Sequence, residues 1–130
     1  MLLVAAWVAT TVDAVAEEIW VVTDHHHPVS SSQGVRVIYL DAPAQLKREL
    51  SARLPHDRTR AEALARERLR QGGDESHRRL ALAYQGVTDA WMLGVTKIPA
   101  VIVDRRYVVY GEPDVRRAAA LIQEYRRTHL

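Results

Sequence analysis

The chain has 130 residues, 48% of them hydrophobic and 26% charged, and a formal net charge of +2. That length fits one domain able to bury a core without disulfides or a structural metal. It has no cysteine, which excludes a disulfide scaffold, a thiol nucleophile and a thiolate zinc site; the small, dispersed positive charge gives no basis for direct nucleic-acid binding.

The first segment reads as an export signal. Leu2 to Val12 is apolar or small and uncharged, and Ala14-Val15-Ala16 fits the small-x-small rule, with cleavage expected before Glu17. Eleven such residues fall short of the ~20 that a helix needs to span a bilayer. The missing basic residue ahead of the stretch is the one departure. The expectation is a signal peptide over 1–16 and a single mature domain over 17–130. The mature domain would be periplasmic, with no stable membrane span.

Ile19-Trp20-Val21-Val22-Thr23 is β-branched and aromatic and predicts a strand. Asp24 to Gly34 is rich in Ser, His, Pro and Gly and predicts a loop. Val35 to Leu40, nearly all apolar, predicts a strand covered on both faces. Asp41 is placed to cap a helix over Pro43 to Leu54. Leu54-Pro55 breaks it, and Asp57 is placed to cap a second helix over Arg58 to Gln71.

Gly72-Gly73 stops that helix. A third is predicted over Glu75 to Leu93, with Leu80, Tyr84, Val87 and Trp91 as its buried face. After Gly94 and the turn Val95 to Pro99, Ala100 to Asp104 and Tyr107 to Tyr110 predict a hairpin turning at Arg105-Arg106. A last helix begins at Pro113, with Val115, Ala118, Ala119, Ile122 and Tyr125 as its buried stripe. The fold class is α/β, a four-stranded mixed sheet flanked by helices.

The stretch Gly94-Val95-Thr96-Lys97-Ile98-Pro99-Ala100-Val101-Ile102-Val103-Asp104, followed by Tyr107-Val108-Val109-Tyr110-Gly111, resembles the second half of the thioredoxin-like fold. In that fold Pro99 would be the cis-proline before the C-terminal hairpin. Further segments sharpen the likeness: Trp20 to Asp24, His27-Pro28-Val29, Leu40 to Pro43, Leu54-Pro55 and Ala90-Trp91. Together with Ile98 to Val101 and Val108 to Gly111, they resemble a small thioredoxin-like family encoded by integrating conjugative elements. The resemblance implies an exported accessory part of a conjugative, type IV secretion-like apparatus. Its partners would be other transfer proteins of the cell envelope. It carries no catalytic residues and no cofactor. The chain departs from ordinary thioredoxins in two ways. The Cys-x-x-Cys pair is missing, and the first helix is replaced by the loop Asp24 to Gly34. Without a thiolate there is no attack on a disulfide, so the expectation is a non-enzymatic protein.

Three clusters carry chemistry worth weighing. His25-His26-His27 beside Asp24 is the metal-like one, since neutral imidazole binds Zn, Cu or Ni. Consecutive residues of an extended loop point to opposite sides, so convergence on one ion is unfavourable. The alternative function, a periplasmic metal-binding protein, rests on these three weak candidates. Ser30-Ser31-Ser32 lacks a nucleophile elbow and reads as a flexible loop. Thr96, Lys97, Ile98 and Pro99 form the candidate partner-binding turn, which would offer its backbone to an extended segment by strand addition.

Overall fold

The computed structural model describes residues 17–129; the expected signal segment lies outside them. Four strands form one sheet in the order β2-β1-β3-β4: β1 (Ile19–Thr23), β2 (Val35–Tyr39), β3 (Ala100–Val103) and β4 (Tyr107–Tyr110). β1 pairs in parallel with β2, Val21 opposite Val37, and antiparallel with β3, Val21 opposite Val101. β3 and β4 pair antiparallel, Val101 opposite Val109. The sheet is therefore mixed.

Alternation along the central strands divides the core in two. One face carries Trp20, Val22, Ile38, Ala100 and Ile102, packed with Ala90. The other carries Val21 and Val101, packed with Val115 and Ala118. Three helices accompany the sheet: α1 (Ala42–Ser51), α2 (Arg58–Met92) and α3 (Val115–Thr128). The end of α2 covers the first face and α3 the second. Asp114 caps α3, accepting from the N–H groups of Arg116 and Arg117, and Asp57 caps α2, accepting from that of Arg60.

The two helices expected on either side of Gly72-Gly73 are present as the two halves of α2, parted at Gly73, whose φ of 54° and ψ of −145° are not helical. Other expectations are corrected. β2 is covered only in part: Ile38 is buried in one core, and Val35 and Val37 pack half-buried against the other. It is an edge strand, preceded by a loop and not by a covering helix, and Arg36 and Tyr39 are exposed. The hairpin turns through Asp104 and Arg105, both at positive φ, rather than at Arg105-Arg106 alone.

The buried face of α2 is also not the expected one. Trp91 is 82% exposed and Tyr84 43%, while Gly86 and Ala90 face the sheet. The reason is close approach: a Cβ at Gly86 would lie only 3.2 Å from Cγ2 of Ile38. Small side chains let the helix axis settle there, and the large ones are turned outward. In α3, Val115, Ala118 and Ile122 are buried as expected. Tyr125 is instead exposed and stacks on His129, ring centroids 4.0 Å apart.

Candidate functional site: the Pro99 turn and the histidine loop

Gly94, at φ 72°, ends α2, and its N–H donates to the carbonyl of Trp91, the close of a helix in left-handed conformation. The chain then crosses to β3 through Val95 to Pro99. The Ile98–Pro99 bond is cis. The Pro99 carbonyl accepts from the N–H of Gly111 at 2.8 Å, which ties the turn to the end of β4. Ile98 packs against the first core face. Thr96 and Lys97 are exposed. The Thr96 N–H makes a long bond, 3.4 Å, to the Tyr110 hydroxyl. Among the described residues no backbone bond engages the N–H of Lys97 or Ile98. The turn thus presents unsatisfied backbone and one cation to solvent, with Ile98 serving as its anchor in the core.

The loop between β1 and β2 is held at both ends. Thr23, fully buried, donates its hydroxyl to the His27 carbonyl at 2.7 Å. Further on, Ser30 bridges to the start of α3: its N–H donates to the Pro113 carbonyl, and its carbonyl accepts from the N–H of Val115. The expectation of a flexible serine loop is therefore corrected at Ser30. Among the described residues no serine hydroxyl bonds to a histidine.

The three histidines part company. His25 Nδ1 lies 2.8 Å from Asp41 Oδ1, and its ring stacks on Tyr39 at 4.3 Å. His27 Nδ1 lies 2.6 Å from Asp24 Oδ1. His26 is exposed, its backbone N–H donating to Asp24. Among the described residues no three His, Asp or Glu side chains are placed to share a metal ion. The reason is the two separate carboxylate partners, which draw His25 and His27 to different anchors.

Asp41 does not use its side chain as a helix cap; it takes the His25 ring and backbone N–H instead. Burial pushes the Asp41 carboxyl up, but the two His25 hydrogen bonds outweigh this and hold it below the ordinary range. The His27 hydrogen bond likewise holds Asp24 low. No hydrogen bond or ion pair joins the loop to the Thr96–Pro99 turn among the described residues.

Two features escaped the sequence reading. A cleft of about 470 Å³ opens beside β2, between α1 and α2, lined by His25, Arg36, Tyr39, Leu46, Arg79 and Leu82 among others. It depends on long-range packing and has no local signature. The second is the Trp20 ring, which both the Arg36 guanidinium, at 4.4 Å, and the Arg105 guanidinium, at 4.7 Å, approach. Its one sequence signal is a tryptophan in a strand with arginines nearby.

No curated protein and no solved structure matches the chain. A family model does, that of the proteins of unknown function called DUF1525, over residues 16–128. The match takes in the sheet, all three helices, the histidine loop and the Pro99 turn, and the chain belongs to that family.

Proposed function

We propose that this protein is a non-enzymatic, exported, thioredoxin-like component of an integrating conjugative element. It assists assembly or operation of the DNA-transfer apparatus by binding other transfer proteins of the cell envelope, and it works in the periplasm. The observation that carries the reading is the sheet order β2-β1-β3-β4, entered at β3 through the Pro99 turn, in a chain without cysteine. That order is compatible with a thioredoxin-like fold, and in this reading the histidine loop takes the place of its redox pair. With no thiolate, what remains at this end is a binding surface. The family match begins at residue 16, beside the expected cleavage point, which supports the division into signal and mature domain. The metal-binding alternative draws no support from His25, His26 and His27, since they do not converge.

The test is mating. Deleting the gene from a donor lowers transfer of the element, and the wild-type gene restores it. A Lys97→Glu copy restores it roughly tenfold less well, the effect of about 1.4 kcal/mol in partner affinity. Lys97 is the position of choice because it is exposed, whereas Ile98 also supports the core. Transfer unaffected by the deletion would refute the reading.

A further inference from the structure

The outer edge of β2 is open. Leu40 donates its N–H to the Thr23 carbonyl at 2.8 Å, which shows which backbone groups of this strand face β1. Successive residues of a strand turn their backbone groups to opposite edges. Arg36 and Ile38, in step with Leu40, therefore spend theirs on β1, while Val35, Val37 and Tyr39 turn theirs outward. Among the described residues no backbone bond outside the sheet engages Val35, Val37 or Tyr39. Such an edge is a template for a further strand, and proteins ordinarily blunt it with lysine, proline or a bulge, or cover it. β2 has no lysine or proline, and its pairing with β1 is unbroken from Val35 to Tyr39. Its one charged side chain, Arg36, is drawn back over the sheet, 2.6 Å from Asp89 and above the Trp20 ring.

The surroundings of the edge say what chemistry it accepts. The cleft of about 470 Å³ runs along the same strand, with Arg36 to Tyr39 on one side and Leu46, Glu49, Arg79 and Leu82 of α1 and α2 on the other. That size falls among ligand clefts, about 300–1,000 Å³. Its charges are already matched within the chain: Arg36 with Asp89, Arg79 with Glu49 at 3.6 Å, and His25 with Asp41 at 2.8 Å. What is left unmatched is the outward backbone of β2 and apolar surface, with Leu82 59% exposed and Leu46 half-buried. The complement of such a site is an extended main chain with uncharged side chains.

We propose that β2 takes an uncharged, extended segment of another protein as a fifth strand of the sheet. The segment's main chain pairs with Val37 and with Val35 and Tyr39 on either side of it. Its alternate apolar side chains reach Leu46 and Leu82. A second copy of this chain fits poorly. Antiparallel pairing of two β2 edges puts the twofold axis perpendicular to the joined sheet, so α1 and α2 of both copies would stand on the same face at one seam. They would compete for the cleft that the added strand must fill. The proposal uses no residue of the Pro99 turn and stands independently of the transfer role.

The test uses the full chain and capped peptides of alternating valine and threonine, about six residues long, the length of an average strand. Titration calorimetry finds this peptide bound, and the same peptide with every amide N-methylated bound roughly tenfold more weakly or not at all. Replacing its valines by glutamate or by lysine weakens binding to a similar degree. Leu82→Glu, at a largely exposed position, lowers affinity roughly tenfold with no change in Tm. Val37→Pro removes an outward N–H without touching the ladder to β1 and abolishes binding; where it also lowers Tm, Leu82→Glu and the methylated peptide decide. Equal affinity for the methylated and unmethylated peptides, binding of neither, tighter binding of a charged peptide, or indifference to Leu82→Glu overturns the proposal. So does a dimer in sedimentation that Val37→Pro abolishes, which would give the edge to a second copy.

Discussion

In the sheet layer, Val21, Val22, Val101 and Val103 have no exposed surface, and β1 and β3 are closed on both faces. In the helical arm, formed by α1 and the first half of α2, Pro43 is the only buried residue. Leu46, Leu50, Leu64 and Leu69 are half-buried there, and exposed pairs such as Arg58 with Glu62 and Arg70 with Glu67 line the outside. Within the arm, Arg68 donates to the Leu50 carbonyl; the arm joins the rest of the molecule through the bend at Gly73 and through the pair of Arg79 with Glu49. The two regions differ in what holds them: full burial of β-branched side chains in one, partial burial and screened charge in the other. Elements of the second kind open locally at a lower free energy than the fold as a whole.

The sharpest way to break this comparison is to truncate one anchor in each region. Trp20→Ala removes a ring that is 9% exposed and approached by Arg36 and Arg105; it costs about 3–5 kcal/mol. Leu64→Ala in the arm costs about 1 kcal/mol, since only part of that side chain leaves water on folding. Urea denaturation of both variants measures the gap. Equal losses would mean that the arm belongs to the same cooperative core as the sheet. Hydrogen exchange makes the same distinction: amides of residues 58–70 exchange well before those of β1 and β3.

The bend itself gives the next largest effect. Gly73 holds φ 54° with ψ −145°, a combination open essentially to glycine alone. Gly73→Ala costs about 1–3 kcal/mol if the arm keeps its angle. A variant as stable as the wild type and richer in helix by circular dichroism would show instead that α2 straightens freely. In that case the arm would have no fixed place against the layer.

The same division explains what was legible in the sequence. Strand positions followed from β-branched runs bounded by Gly, Pro and Asp: β1 and β4 occupy the residues those runs predict, and β2 and β3 end one residue earlier. The stop at Gly72-Gly73 was legible as the break between two helices, and Gly73 holds non-helical backbone there. The face of α2 was not legible. Periodicity ranks Leu80, Tyr84, Val87 and Trp91 by size and polarity, whereas the sheet selects for smallness at Gly86 and Ala90 because the backbones approach closely. The role of Asp41 was hidden for a similar reason: a cap is a local inference, and His25 reached it across sixteen residues. At the site, the turn at Thr96–Pro99 was visible as a Pro-bearing junction between helix and strand. The outward face of α2 at Tyr84 and Trp91 reads as core in sequence, because apolar spacing alone does not say which side of a helix the sheet covers.

Acid should separate the two regions by the smallest margin. The hydrogen bond from Arg36, then that from Gln85, holds the Asp89 carboxyl below its ordinary value of 3.8. The Arg70 hydrogen bond holds Glu67 below 4.5. A carboxyl that is more acidic in the folded chain than in the unfolded one adds stability above its unfolded value. That contribution is lost as the pH falls through the lower, folded value. The losses from Asp24, Asp41 and Asp89 therefore come below pH 3.8. Asp89→Asn lowers stability at neutral pH and flattens the acid limb, so that the variant and the wild type converge at the acid end. Glu67→Gln does less, because Glu67 and Arg70 are three residues apart on one exposed helix and that helix sits in the region that opens first. Denaturant midpoints between pH 2.5 and 5 measure both, a range set around the ordinary carboxylate values of about 4. If Glu67→Gln alters the acid limb as much as Asp89→Asn does, the arm opens no more easily than the layer. The burial that distinguishes them would then not be what sets their stability.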